Sequence, residues 1–317
     1  MKVIVSTLET LRTYVTREFY HIISDLISSH GWRHIETSDL QNRPGSIKGK
    51  LIDEFGELPE SMIFWETYEL LQVNASEIFH LDFRKSFLTD DLHWWDEGMR
   101  QTKSVSFGLC DTIISTYGYI WDRFYPEFAG TKKVVWVPHS ASPDFLLPYN
   151  RYAENSILLS GAIDRYYPLR QQMKALHAQG AHSIVHYPHP GYYTGYDYET
   201  DHEIGIGYAK TINKYRAAFT DSLIFGYVVA KYFEIPATGA LLFADDKVSG
   251  PLRTLGFIEN THYLPVSKEN LEDRIEYVLD ERNHEELDEI RRNGQKLVWE
   301  RHKTVDRAKL INDECSS

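Results

Sequence analysis

Cysteine is nearly absent from these 317 residues: only Cys110 and Cys315 occur, which excludes a disulfide framework and a thiolate metal site. Long apolar runs are missing too. No stretch approaches the ~20 residues of a membrane-spanning helix. Met1-Lys-Val-Ile-Val begins directly with strand-forming residues rather than a charged leader and apolar core. The expectation is a cytoplasmic chain with no membrane span. Basic residues are in deficit, 34 Lys and Arg against 46 Asp and Glu, for a net charge of −12. That balance disfavours bulk attraction to nucleic acid or an anionic membrane, while leaving room for a local basic patch. No Gly-x-Gly-x-x-Gly follows the first strand, which disfavours a nicotinamide or flavin site. His186, His189 and His202, with Asp201 nearby, lack the i, i+4 spacing of a helical metal motif, so no metal is expected.

What is present is ordinary globular composition, 42% hydrophobic and 25% charged, at a length suited to two domains of roughly 150 residues. Lys2–Ser6 reads as a strand, and Leu8–His30 as one helix through Leu11, Val15, Phe19, Ile23 and Ile27. Further strands are expected at Ser61–Trp65, Glu77–Leu81, Thr112–Ser115 and Val134–Val137. Pro138–Asn155 is turn-rich and reads as a linker. A second alternating series starts at Ser156-Ile-Leu-Leu-Ser-Gly161, with a helix over Leu169–Ala178, a strand Ser183–His186 and a helix Thr211–Ala218. Helices over Leu271–Leu279 and Glu285–Arg301, and one from Thr304, complete it. Strand–helix alternation in both halves is the pattern of two α/β domains with a cleft between them. The divisions are 1–145, 146–303 and a final helix over 304–317.

The stretch from Ser222 to Asp245 organises the second half. It reads as a helix from about Tyr227 to Ala237, a stop at Gly239 and a buried strand Ala240–Ala244. Helical spacing puts Tyr227, Lys231 and Glu234 on one face, with Pro236 in the last turn. Phe225-Gly226 would let a ligand approach the helix start, where unpaired N–H groups favour phosphate. Lys231 and Glu234 also fit a plain i, i+3 ion pair.

Lys231-x-Phe233-Glu234-x-x-Ala237-x-Gly239, followed by an apolar strand and Asp245, resembles the donor-site helix of group-1 glycosyltransferases of the GT-B fold. The spore-maturation-type branch is the nearest likeness. Ile290-Arg-Arg-Asn-Gly-Gln-Lys-Leu-Val and His302-Lys-Thr-Val-Asp-Arg307 resemble the tail of the same family. The likeness covers about 156–311 and is thin over the first 130 residues. It implies two facing Rossmann-like domains with an interdomain cleft, an acceptor-side domain and then a donor-binding domain, and a last helix crossing back to the first domain. It implies a metal-independent enzyme with no cofactor, moving a sugar from a nucleotide-diphosphate sugar to a hydroxyl of a glycan or other acceptor. Glu234 would meet the ribose hydroxyls. Gly226 stands where many relatives carry a second glutamate, which leaves the stereochemical outcome open.

Other residues gain roles beside this. Gly161 permits close backbone approach to a phosphate, and Arg165 would clamp it, with Arg170 a lesser candidate. His189, in the aromatic loop His186-Tyr-Pro-His-Pro-Gly-Tyr-Tyr193, and Tyr208 and Asn213 in the next segment complete the donor-binding set, together with Gly226, Tyr227, Lys231 and Glu234. Asp82, at an expected strand end, leads as catalytic base, followed by His93 and His139. The run Asp91-Leu-His-Trp-Trp-Asp-Glu97 reads either as an acceptor groove or as a packed helix opened by Asp90-Asp91. Two other readings stay open: a GT-B-fold nucleotide-sugar epimerase and a non-catalytic nucleotide- or glycan-binding module. A DNA base is a special acceptor case that the acidic net charge disfavours.

Overall fold

The computed structural model describes residues 1–42, 45–180 and 182–316. The chain divides into two compact units, one comprising Met1–Arg12, Phe19–Pro138 and Val305–Ser317, the other Thr13–Glu18 and His139–Thr304.

The first unit begins β1 (Lys2–Ser6), α1 (Leu8–Arg12), α2 (Glu18–His30), β2 (Arg33–Glu36), α3 (Thr37–Asn42), α4 (Ile47–Phe55) and β3 (Ser61–Trp65). It continues with α5 (Tyr68–Val73), α6 (Ala75–His80), β4 (Arg84–Thr89), α7 (Glu97–Leu109), β5 (Thr112–Ser115), α8 (Trp121–Phe124) and β6 (Lys133–Trp136). All six strands run parallel, in the order β2-β1-β3-β4-β5-β6. Helices cover both faces of such a sheet, which is why its strands read as near-continuous apolar runs.

Three features of this unit differ from the sequence expectation. Glu77–Leu81 is not a strand but mostly α6: Ile78 and Leu81 are buried three residues apart, while Phe79 and His80 between them are exposed. The strand lies instead at Arg84–Thr89, hidden by a charged residue. Lys85 is buried because its Nζ donates to the carbonyls of Leu81 (2.7 Å) and Phe83 (3.2 Å). The single helix expected over Leu8–His30 breaks into α1 and α2 around Thr13, Val15 and Thr16, β-branched residues that lose side-chain freedom in a helix.

The second unit runs β7 (Glu154–Ser160), α9 (Pro168–Gln179), β8 (Ile184–Tyr187), α10 (Gly205–Lys214), β9 (Tyr215–Phe219), α11 (Lys231–Ala237) and β10 (Leu241–Asp245). Then come α12 (Ser249–Thr254), β11 (Leu264–Val266), α13 (Leu271–Leu279) and α14 (His284–Arg301). Its parallel sheet has the order β11-β10-β9-β7-β8. The helix expected over Thr211–Ala218 is the end of α10 followed by β9. Ala217 and Ala218 favour a helix locally, but a place between β7 and β10 buries every residue of β9 and decides the matter. The core joins Ile157, Ala217, Phe219 and Phe243 to Leu169 and Met173 of α9 and Leu271 and Ile275 of α13.

The last helix, α15 (Thr304–Ser316), packs Ala308, Ile311 and Cys315 into the core of the first unit beside Ile4, Ile63, Leu88 and Ile114. Among the described residues no helix is long and apolar enough to cross a membrane.

Candidate functional site

In the second sheet the chain leaves β7 towards β8 on one side, while β9 and β10 lie on the other. Such a reversal of strand order opens a crevice at the carboxyl ends of the two central strands, where α/β folds bind ligands. Ser160 ends β7, and Gly161 follows with a φ of +95°, a conformation that suits glycine. A side chain there would also collide: a Cβ would lie 2.7 Å from Arg170 Nη1 and 2.9 Å from Lys231 Cε. The missing side chain is what lets both cations approach this turn.

Arg170 stands in the first turn of α9 and is 2% exposed. Its Nη1 donates to the Ala162 carbonyl (3.0 Å) and Nη2 to Thr220 Oγ1 (3.1 Å). Its Nε is buried with no acceptor among the described residues. Asp221, just past β9, fixes this arginine from behind. Asp221 Oδ2 accepts the backbone N–H groups of Leu169 (2.8 Å) and Arg170 (3.1 Å), and Oδ1 accepts that of Leu223 (2.9 Å). Burial pushes the Asp221 carboxyl above its ordinary pKa, against the opposing pull of Arg170 and these N–H groups.

Lys231 opens α11 and reaches the Tyr208 hydroxyl at 2.5 Å, and that hydroxyl is 2.6 Å from Ser160 Oγ. Glu234, one turn on, lies 3.9 Å from Lys231 Nζ and is 6% exposed. Burial raises the pKa of its carboxyl, while Lys231 opposes the shift. His189 belongs to the same group: burial, then the positive charges of Lys231 and Arg170, lower its pKa to about 4, so the imidazole is neutral at pH 7. Its Nδ1 accepts the Gly191 N–H at 2.9 Å. Two cations beside a glycine turn can hold an anion such as a diphosphate, and a buried carboxyl next to them can accept hydrogen bonds from hydroxyls.

Of the residues picked from sequence, Gly161, His189, Tyr208, Lys231 and Glu234 are thus brought together. The others lie elsewhere. Arg165 is exposed, donates to its neighbour Tyr166 (2.6 Å) and stacks on that ring; Arg170 occupies the place expected for it. Asn213 is committed to structure, donating to the carbonyls of Thr238 (2.6 Å) and Pro148 (3.1 Å). Tyr227 is not on the helix with Lys231, because α11 begins only at Lys231. Positive φ angles at Leu223 (56°) and Gly226 (80°), with the Asp221 bonds, hold the preceding segment in turns. Tyr227 is buried there, and Gly226 sits in a turn rather than at a helix start.

In the first unit, Asp82 is exposed at the amino end of β4, opposite the strand end expected for it. It lines an open cavity of about 690 Å³ with Ser46, Glu77 and His80. His93 lies past the carboxyl end of β4, in an irregular segment rather than a helix, because α7 starts at Glu97 with Asp96 as its cap. Burial, with Lys103 next in effect, lowers the His93 pKa to about 4. Asp221 went unnoticed in the sequence because the strand before it reads as helix; an aspartate two residues past Ala217-Ala218-Phe219 was the available signal.

Comparison with solved structures gives the fold a name. Sucrose-phosphate synthase from Thermosynechococcus elongatus superposes with a TM-score of 0.67 at 11% identity, over 99% of this chain and 97% of that one. An alpha-glucosyltransferase in complex with UDP and a 13-mer DNA containing a central A:G mismatch gives 0.65 at 12% identity, over all of both chains. A glycosyltransferase from Rickettsia africae ESF-5 gives 0.60 at 10% identity, over 100% and 98%. These likenesses establish the GT-B architecture. The glycosyl transferase-like family model matches residues 170–313, from Arg170 into α15. The chain has the GT-B fold, and its residues 170–313 are glycosyl transferase-like. No curated protein matches it by sequence. The glycosyltransferase match disfavours the epimerase and binding-module readings, and it reaches the family without singling out the spore-maturation-type branch. The expectation that nucleic acid is no partner loses its support, since one of these similar structures contains DNA.

Proposed function

We propose that this glycosyltransferase draws its sugar from a nucleoside diphosphate sugar seated on the second unit, without a resident metal, and passes it to a hydroxyl acceptor. The observation that carries this reading is the convergence of Lys231 and Arg170 on Gly161. Arg170 Nε, buried without an acceptor, is a donor suited to a phosphate oxygen. The bond from sugar C1 to the diphosphate oxygen breaks, and its electron pair leaves on the diphosphate. Fixed cations stabilise that developing charge. The acceptor oxygen forms the new bond to C1, and its proton is released to water. Glu234, in its ionised form, accepts hydrogen bonds from the ribose hydroxyls. Membership of the spore-maturation-type branch is part of the same proposal and rests on the Lys231-x-Phe233-Glu234 spacing.

A second reading concerns the acceptor alone. The similar alpha-glucosyltransferase was captured with UDP and DNA, which favours a nucleic-acid acceptor, whereas the net charge of −12 weighs against one.

The test is a screen of uridine and guanosine diphosphate sugars for donor hydrolysis, with glycan and DNA acceptors added to the best donor. Thermal protection by UDP or GDP is expected in the wild type and not in Glu234→Ala. Equal protection of both proteins would remove Glu234 from the site.

A further inference from the structure

Residues Thr13–Glu18 follow α1 of the first unit, yet they fold into the second. Glu18 is 3% exposed, and its carboxylate is fully engaged there. Oε2 lies 2.7 Å from His139 Nδ1, while Oε1 accepts both the Ser140 N–H (2.5 Å) and the Ser140 hydroxyl (2.8 Å). A carboxylate only accepts, so the proton of this contact is on His139 Nδ1. The neighbouring Arg17 repeats the connection, donating from Nη2 to both oxygens of Asp144 (2.9 and 3.0 Å) and lying 3.7 Å over the Tyr198 ring.

The turn so anchored leads to the donor-site residues. Pro143–Phe145 packs against α10 and α11, and the Phe145 ring meets the Tyr208 ring edge-on at 6.0 Å. Tyr208 is the partner of Lys231. We propose that Glu18 is a positioning residue for glycosyl transfer, holding His139 in its Nδ1–H form and, through the turn that follows, holding the Lys231–Tyr208–Glu234 group in place. The proposal rests on the glycosyltransferase reading of that group. Glu18 is also within electrostatic reach of Glu234: beside burial, its negative charge raises the pKa of that carboxyl.

Glu18→Gln is the decisive variant. Glutamine keeps the shape and can still accept from Ser140, but its amide donates, which forces His139 into the opposite tautomer. With the donor found by screening, kcat/KM for this variant is expected to fall about tenfold to a hundredfold, with the melting temperature little changed. Two-dimensional imidazole NMR should show His139 passing from the Nδ1–H to the Nε2–H form. A folded Glu18→Gln with wild-type kcat/KM overturns the proposal. An unchanged His139 spectrum also overturns it, and that readout needs no turnover. Should the wild type hydrolyse no nucleotide sugar, the donor reading fails separately. If Glu18→Gln melts early, Glu18→Asp replaces it: retained charge should bring kcat/KM back towards wild type, and an equal loss in both would overturn the assignment.

Discussion

Lys231 Nζ donates to the Tyr208 hydroxyl across 2.5 Å and lies 4.4 Å from the centre of the same ring. Lysine has no acceptor, so the phenol accepts from Lys231, and the same hydroxyl shares a hydrogen bond with Ser160 Oγ, 2.6 Å away. The ammonium is therefore held over the carboxyl end of β7 before any ligand arrives. Tyr208→Phe keeps the ring and removes this acceptor. Affinity for UDP, measured by calorimetry, should fall about fivefold to tenfold, the loss of one charge-assisted hydrogen bond, with little change in melting temperature.

Glu234→Gln should separate stability from binding. The folded carboxyl has its pKa raised above the ordinary 4.5 by burial. Its favourable contribution is therefore complete below pH 4.5 and is lost as pH rises through the folded value. Glutamine carries no such cost, so the variant should melt above the wild type at pH 7–8 and close to it near pH 4. UDP protection should nevertheless drop, because glutamine cannot accept two hydroxyls with a charge. Thermal melts at both pH values, with and without UDP, give the answer.

Gly161→Ala tests the approach of the two cations. The φ of +95° costs about 1–3 kcal/mol for a residue with a side chain, and the new methyl would strike Arg170 Nη1 and Lys231 Cε. Both a lower melting temperature and a UDP affinity reduced more than tenfold are expected. Gly226→Ala is the control. Its φ is also positive at +80°, but no atom lies within 4 Å of a Cβ there, so stability should suffer without a comparable loss of binding.

His189 should report on ligand charge. With a folded pKa near 4 against an ordinary 6.5, the unfolded chain takes up a proton first as pH falls. Its contribution to stability is intact above pH 6.5 and lost between 6.5 and about 4. His189→Gln should flatten the pH dependence of melting in that window. Bound UDP places negative charge near Lys231 and Arg170 and should raise the His189 pKa, which a histidine titration by NMR would show.

The sequence carried the local parts of this site well. Gly161 after an apolar strand, and Lys231 with Glu234 one turn apart, are short-range patterns, and periodicity reveals such patterns. It failed where burial overrode local preference. Lys85 hid β4 because a lysine inside a sheet is rare unless its ammonium finds carbonyls, and Ala217-Ala218 disguised β9 as helix. Asp82 then went to the wrong end of a strand, because moving the strand from Glu77–Leu81 to Arg84–Thr89 puts that residue before its amino end instead of past its carboxyl end.

Chain order alone determined that this protein has two α/β halves and that a lysine and a glutamate share a helix in the second, since both follow from spacing within a few turns. Only the tertiary structure decided that Arg170 rather than Arg165 enters the site, and that Glu18 meets His139 across 121 positions of chain. The physical reason is that strand order and the break between α1 and α2 bring these groups together, and contacts between residues far apart in sequence leave no period to read.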